Sequence, residues 1–214
     1  MGSAITPRKV LYIPTKDEFS AGVRAYERNE ERGAVYFTAL NRLTQGWGRT
    51  DAMAEAIGIL LKSWHRALYR FGMFDPAALK QCIEKNLGVL TLIRSRSIDT
   101  LSREDEALIA RLFSEFTTAV RGPRAESQVA PAKSLHLLAP AFLPLWDNPI
   151  AFRYGWLLMW SREYVSFCWE MKHLAAAVSP YLTSPDDRAV LKRIDEFNYS
   201  VNTKGWVSIG GTQG

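Results

Sequence analysis

Apolar residues recur at steps of three and four through most of this chain, and capping residues, glycines and prolines separate the runs. That pattern predicts helices throughout. From Asp17 to Gly48 a proline-free segment predicts two helices with a break near Asn29 to Gly33. Thr50 caps the next, in which Met53, Ile57, Leu61, Trp64, Leu68 and Phe71 make one stripe ending at Gly72. Asp75 and Pro76 supply the N-cap and first-turn proline of a helix through Leu79, Ile83, Leu87, Leu90 and Ile93. Ser102 and the acids up to Asp105 open another, carrying Leu108, Leu112, Phe116 and Ala119. The run Arg121 to Pro131, with its glycine and two prolines, predicts a connector. Asn148 and Pro149 begin what reads as one long helix through Leu157, Trp160, Tyr164, Phe167, Met171, Leu174 and Val178, stopped by Pro180. Ser184, Pro185, Asp186 and Asp187 open the last helix, with Val190, Leu191, Ile194, Phe197 and Val201 on its apolar side.

No segment alternates as a half-buried strand would, and no repeat of fixed period is present. The expected fold is therefore all-α, a compact bundle of about seven to eight helices. Residues 1–15, with Pro7, Pro14 and the run VLYI, are expected to form an N-terminal arm. Residues 16–204 form the helical domain, as one body or two closely packed subdomains with a cleft near 121–155, and the glycine-rich 205–214 a C-terminal tail.

The chain has 214 residues, 47% hydrophobic and 23% charged, which is ordinary for a globular protein and excludes a largely disordered one. Cys82 and Cys168 show no CxxC spacing, so neither a disulfide framework nor a zinc or iron–sulfur site is supported, and no cofactor or metal is expected. No N-terminal apolar leader follows Met1. Arg153 and Arg162 interrupt the longest apolar candidate before it reaches the roughly 20 residues of a membrane span, so a cytoplasmic location is expected. A net charge of +5 and a pI near 9.3 favour a polyanionic partner without requiring one. The absence of GxGxxG, P-loop, HExxH and GxSxG patterns, and of closely spaced acids, argues against the commonest enzyme classes.

Against that background Ala130 to Gly155 stands out, because Lys133 and Asp147 bracket some of the most hydrophobic sequence in the chain. A lysine opening an apolar helix, a prolyl turn, and an aspartate starting another helix resemble the active region of the helix-hairpin-helix DNA glycosylase superfamily. The matching pieces are VAPAKSLHLL and LWDNPIAFRYG, about 30 of the 214 residues. Three features differ from that family. SQVAPAK lacks the hairpin glycines, the spacing of 14 residues from Lys133 to Asp147 is about one helical turn short, and the four-cysteine cluster of endonuclease III is absent.

The resemblance implies a DNA N-glycosylase that flips a damaged or modified base out of double-stranded DNA. Asp147 would stabilise positive charge on the sugar or activate water, and Lys133 is the candidate nucleophile. Trp146, Trp47, His136 and Asn148 are candidates for the base pocket, and Arg121 and Arg124 for phosphate contacts. Each residue also has a plainer reading. Asp147 is placed as an N-cap, Lys133 as a solvated first-turn residue, His136 as a hydrogen-bonded structural histidine, the tryptophans as core, and the arginines as surface charge. The rival functions are a non-catalytic helical module that binds nucleic acid or protein, and hydrolysis of a free nucleoside or nucleotide.

Overall fold

Side-chain caps fix several of the helix starts. The structure is a computed structural model that describes residues 11–64, 75–121, 127–156, 161–182 and 189–209. Among these there are nine α-helices and no strand: α1 Lys16–Asn29, α2 Gly33–Gln45, α3 Thr50–Trp64, α4 Pro76–Arg94, α5 Glu106–Ala119, α6 Val129–Leu138, α7 Asn148–Arg153, α8 Ser161–Val178 and α9 Val190–Asn198. A π-helical turn, Tyr199–Thr203, continues from α9. The fold is all-α. Thr15 and Glu18 form a capping box at α1, Asp75 caps α4 through the Ala77 amide, and Ser102 with Asp105 caps the turn before α5.

Two boundaries differ from the sequence pattern. Val129, Ala130 and Pro131 belong to α6 rather than to a connector, since proline at the third position of a helix lacks only an amide that would be unsatisfied there. The single long helix expected from Asn148 to Val178 is two. The chain leaves α7 at Tyr154 and turns at Gly155, whose φ of +83° suits glycine and breaks the helical path. Leu68, Phe71, Arg124, Leu157, Trp160 and the Ser184–Asp187 cap lie outside the described residues. Within the tail, Ile209 is buried against the core and the Trp206 ring meets that of Tyr199 edge-on. No helix among the described residues is long and apolar enough to cross a membrane.

Helix α6 sits at the centre and packs on α2, α3 and α5. All ten of its residues are buried, including Lys133, Ser134 and His136. A helix covered on every side needs no polar face, so the stretch reads as uniformly apolar with three polar intrusions. Around it, α5 packs on α8 through Phe113, Tyr164 and their neighbours, and α1 packs on α9. Gly22 permits that last contact, because a Cβ there would stand 2.6 Å from Cδ2 of Phe197.

Candidate functional site

The loop after α6 is held by buried side chains rather than by secondary structure. The Leu143 carbonyl accepts from Nδ1 of His136 at 2.8 Å, and the Pro144 carbonyl accepts from the Tyr164 hydroxyl at 2.9 Å. A carbonyl can only accept, so Nδ1 carries the proton and Nε2 accepts from the Tyr36 hydroxyl at 3.0 Å. Burial depresses the His136 pKa to about 4, which keeps the ring neutral for this bridge. His136 therefore braces the loop that delivers Trp146 and Asp147.

Asp147 caps α7: its Oδ1 accepts from the Ile150 amide at 3.0 Å. The Thr203 hydroxyl lies 3.4 Å from Oδ1 and 3.3 Å from Oδ2, and its single proton serves one of them at a time. The carboxylate is half-buried and keeps spare accepting capacity. Burial raises its pKa, while the Ile150 amide and the charge of Lys133 pull it back down.

Lys133 reaches the same space from α6. Its Nζ donates to the Trp64 carbonyl at 2.6 Å, and only 9% of the residue is exposed. Burial lowers its pKa to about 8 despite the opposing pull of Asp147 and Asp195. The amine is thus mostly charged at neutral pH, and its neutral form is more accessible there than an ordinary lysine's.

Both residues line a cleft of about 310 Å³. Its walls come from the end of α1 and the bend after it (Tyr26, Glu30, Arg32), from Trp64 of α3, from α6, from Trp146 to Pro149, and from Asp195, Tyr199 and Thr203 at the end of the chain. The volume is at the small end of the range for small-molecule pockets, about 300–1,000 Å³. Arg32 grips Glu30 through two bonds of 2.7 and 2.8 Å and donates to the Tyr199 hydroxyl at 2.6 Å. Burial would raise the Glu30 pKa, but the Arg32 and Tyr199 bonds prevail and hold it at about 2.

Of the residues singled out from sequence, Lys133, Trp146, Asp147 and Asn148 meet at this cleft. Trp146 is 1% exposed, donates to the Gln128 carbonyl at 3.0 Å and packs edge-on against Phe113 and Tyr164, so it forms the floor. Asn148 and Pro149 are exposed at the rim. Trp47 and His136 lie away from the cleft. The Trp47 ring instead carries the Arg94 guanidinium 4.2 Å above it. Arg121 is exposed just past α5, at the start of the connector leading to Val129.

Sequence reasoning missed Tyr26, Glu30, Arg32, Asp195, Tyr199 and Thr203. One signal was legible: Lys192, Asp195 and Glu196 stand at i, i+3 and i+4 on the same helix as the apolar stripe, a spacing that pairs charges. The cleft also depends on a π-turn, and no spacing rule announces one. Among the described residues no three His, Cys, Asp or Glu side chains group to hold a metal ion. Comparison with protein-family models, with curated proteins and with solved structures finds no match to this chain, so the site rests on its own geometry.

Proposed function

We propose that this protein is a DNA N-glycosylase that takes a damaged or modified base, swung out of the duplex, into the cleft and hydrolyses its bond to the sugar. The observation that carries this reading is the Asp147 carboxylate, lining an aromatic-walled cleft with lone pairs to spare. Breaking an N-glycosidic bond develops positive charge on the sugar, and a carboxylate shielded from water stabilises that charge strongly. Water adds its oxygen to the anomeric carbon and gives a proton to Asp147. The bonding pair leaves with the base, which then takes up a proton.

The Lys133 ammonium helps keep Asp147 ionised, and its neutral form is the candidate nucleophile. The likeness of the Lys133 to Asp147 segment to the helix-hairpin-helix glycosylases supports the same reading, as does the basic balance of the chain. Lys204, exposed next to Thr203 at the rim, joins Arg121 as a candidate phosphate contact.

The test is base release from duplex DNA carrying a panel of lesions, comparing wild type with Asp147→Asn. Asparagine caps a helix about as well as aspartate, so the variant removes charge and spares the fold. Release by wild type with a loss of about 10²- to 10³-fold in the variant is expected. Equal release from both, or none from either, contradicts it.

One observation favours a non-catalytic binding module: Lys133 and Asp147 both bond to main chain. That alternative gives salt-dependent DNA binding without product, unchanged in Asp147→Asn and weakened in Arg121→Ala or Arg124→Ala.

A further inference from the structure

A second cavity, of about 190 Å³, lies at the other end of α7 from the cleft. Asp147 caps the start of that helix and Arg153 ends it, and no lining residue is common to the two spaces. Two groups in this cavity have donors to spare. Arg153 is half-buried and forms no hydrogen bond or ion pair among the described residues. Asn198 is 2% exposed, and its neighbours fix which way round its amide lies. The Tyr154 hydroxyl at 3.0 Å and Nδ2 of Asn202 at 3.1 Å both donate to its Oδ1. The phenol proton has no other acceptor among the described residues, so the oxygen of Asn198 faces it and the NH2 group points elsewhere. No described residue accepts from that NH2 group, yet Ser200 Oγ is the one sealed side-chain atom without a partner among them. The nitrogen of Asn198 is therefore open to the cavity that the residue lines.

The two sets of donors are close together. The Arg153 charge acts on Tyr154, the same phenol that bonds Asn198, and on Tyr12 in the cavity wall. A space this small brings both within reach of one ligand. The acids that act on these tyrosines do not line it: Glu18 is bonded at the start of α1, and Glu170 accepts from the Trp156 indole at 3.0 Å. The lining thus carries the Arg153 charge and no negative one, among the rings of Tyr12, Tyr154 and Phe197 and the side chain of Ile209. We infer that this cavity binds a small organic carboxylate with an apolar body, its oxygens on Arg153 and the Asn198 amide and its body against the rings. A guanidinium suits a carboxylate because its parallel N–H groups match two oxygens, and each oxygen keeps a lone pair for the amide. A partly desolvated cation and a buried NH2 group, both without acceptors, gain from that ligand what the free protein lacks. Inorganic phosphate fits less well, since it offers the apolar walls nothing.

The experiment is titration of the full chain with benzoate, its uncharged analogue benzamide and inorganic phosphate, followed by calorimetry and by the side-chain amide NMR signals, and repeated with Arg153→Gln. Benzoate is expected to bind at millimolar concentration or tighter and to move the Asn198 NH2 signals, with benzamide and phosphate at least about tenfold weaker. Arg153→Gln is expected to lower benzoate affinity at least about tenfold without lowering the melting temperature of the free protein, where the guanidinium holds nothing. No benzoate binding, equal affinity for benzamide or phosphate, binding that leaves the Asn198 NH2 signals in place, or an Arg153→Gln variant that binds like wild type each overturns the inference. It stands or falls apart from the glycosylase proposal, because Lys133 and Asp147 lie outside this cavity.

Discussion

Two lysines are buried around Trp64, and they are held in opposite ways. Lys192 is 1% exposed, with Asp195 at 2.8 Å, Glu196 at 3.5 Å and the rings of Tyr26, Trp64 and Tyr36 about it. Burial alone would lower its pKa, but Asp195, Tyr26 and Glu196 outweigh that and raise it. Lys133 has one carbonyl and two carboxylates beyond pairing distance, and burial wins. One ammonium is locked into the structure; the other is left unsettled beside open space. A charge compensated from all sides is a structural element, whereas an undercompensated one is available for ligand or proton exchange.

The largest expected effect breaks the comparison on the structural side. Lys192→Met removes the ammonium that pairs with both Asp195 and Glu196, leaving Arg193 at 3.6 Å from Glu196, and is expected to cost about 3–5 kcal/mol in urea unfolding. A loss under about 1 kcal/mol would mean that the cluster tolerates its own unpaired charge. Lys133→Met works in the other direction. The folded pKa of about 8 against an ordinary 10.5 means that the unfolded chain binds more protons between those values. Wild type therefore carries a penalty of about 3 kcal/mol below pH 8, which fades as pH rises toward 10.5. Lys133→Met is expected to be the more stable protein at pH 7, with the gap closing at high pH. If neutral Lys133 attacks the sugar, base release by wild type also climbs through pH 8; if only its charge matters, release falls there.

His136 provides a comparable effect at the acid end. Its pKa falls from 6.5 to about 4 on folding, so stability present above pH 6.5 is lost toward pH 4, by about 3 kcal/mol in all. Glu30, held at about 2, starts to add its own loss only below its ordinary 4.5. Between pH 6.5 and 4.5 Glu30 adds nothing, while the raised Asp147 carboxyl works in the opposite direction. The histidine is therefore read from the difference between wild type and His136→Gln, and identical pH profiles for the two would remove its bracing role. Smallest is Tyr199→Phe, which deletes one acceptor of Arg32 and is expected to cost about 1 kcal/mol.

Much of the helical architecture could be read from local chemistry. Asp75 with Pro76 and Asp147 with Pro149 act as the helix starts their residue types imply. Lys133 and Asp147 were legible because charge is conspicuous in an apolar run. The break at Gly155 was not, since the apolar spacing continues on both sides of it and only the positive φ reveals the turn. Nor was the far wall of the cleft. Tyr26 and Thr203 come from opposite ends of the chain, brought together by α1 packing on α9 through Gly22, and periodicity within one helix says nothing about its neighbour. His136 looked like chemistry because it shares the face of Lys133, but its two ring nitrogens serve Tyr36 and Leu143.

The contrast between the two lysines is most directly tested by following lysine side-chain nitrogen resonances as pH is raised, with Lys133→Met identifying the signal. One lysine titrating near pH 8, absent from Lys133→Met, is the expected result, with Lys192 still protonated at the alkaline limit. A Lys133 resonance that titrates at its ordinary 10.5 or above would contradict the poised amine on which the reading of the cleft depends.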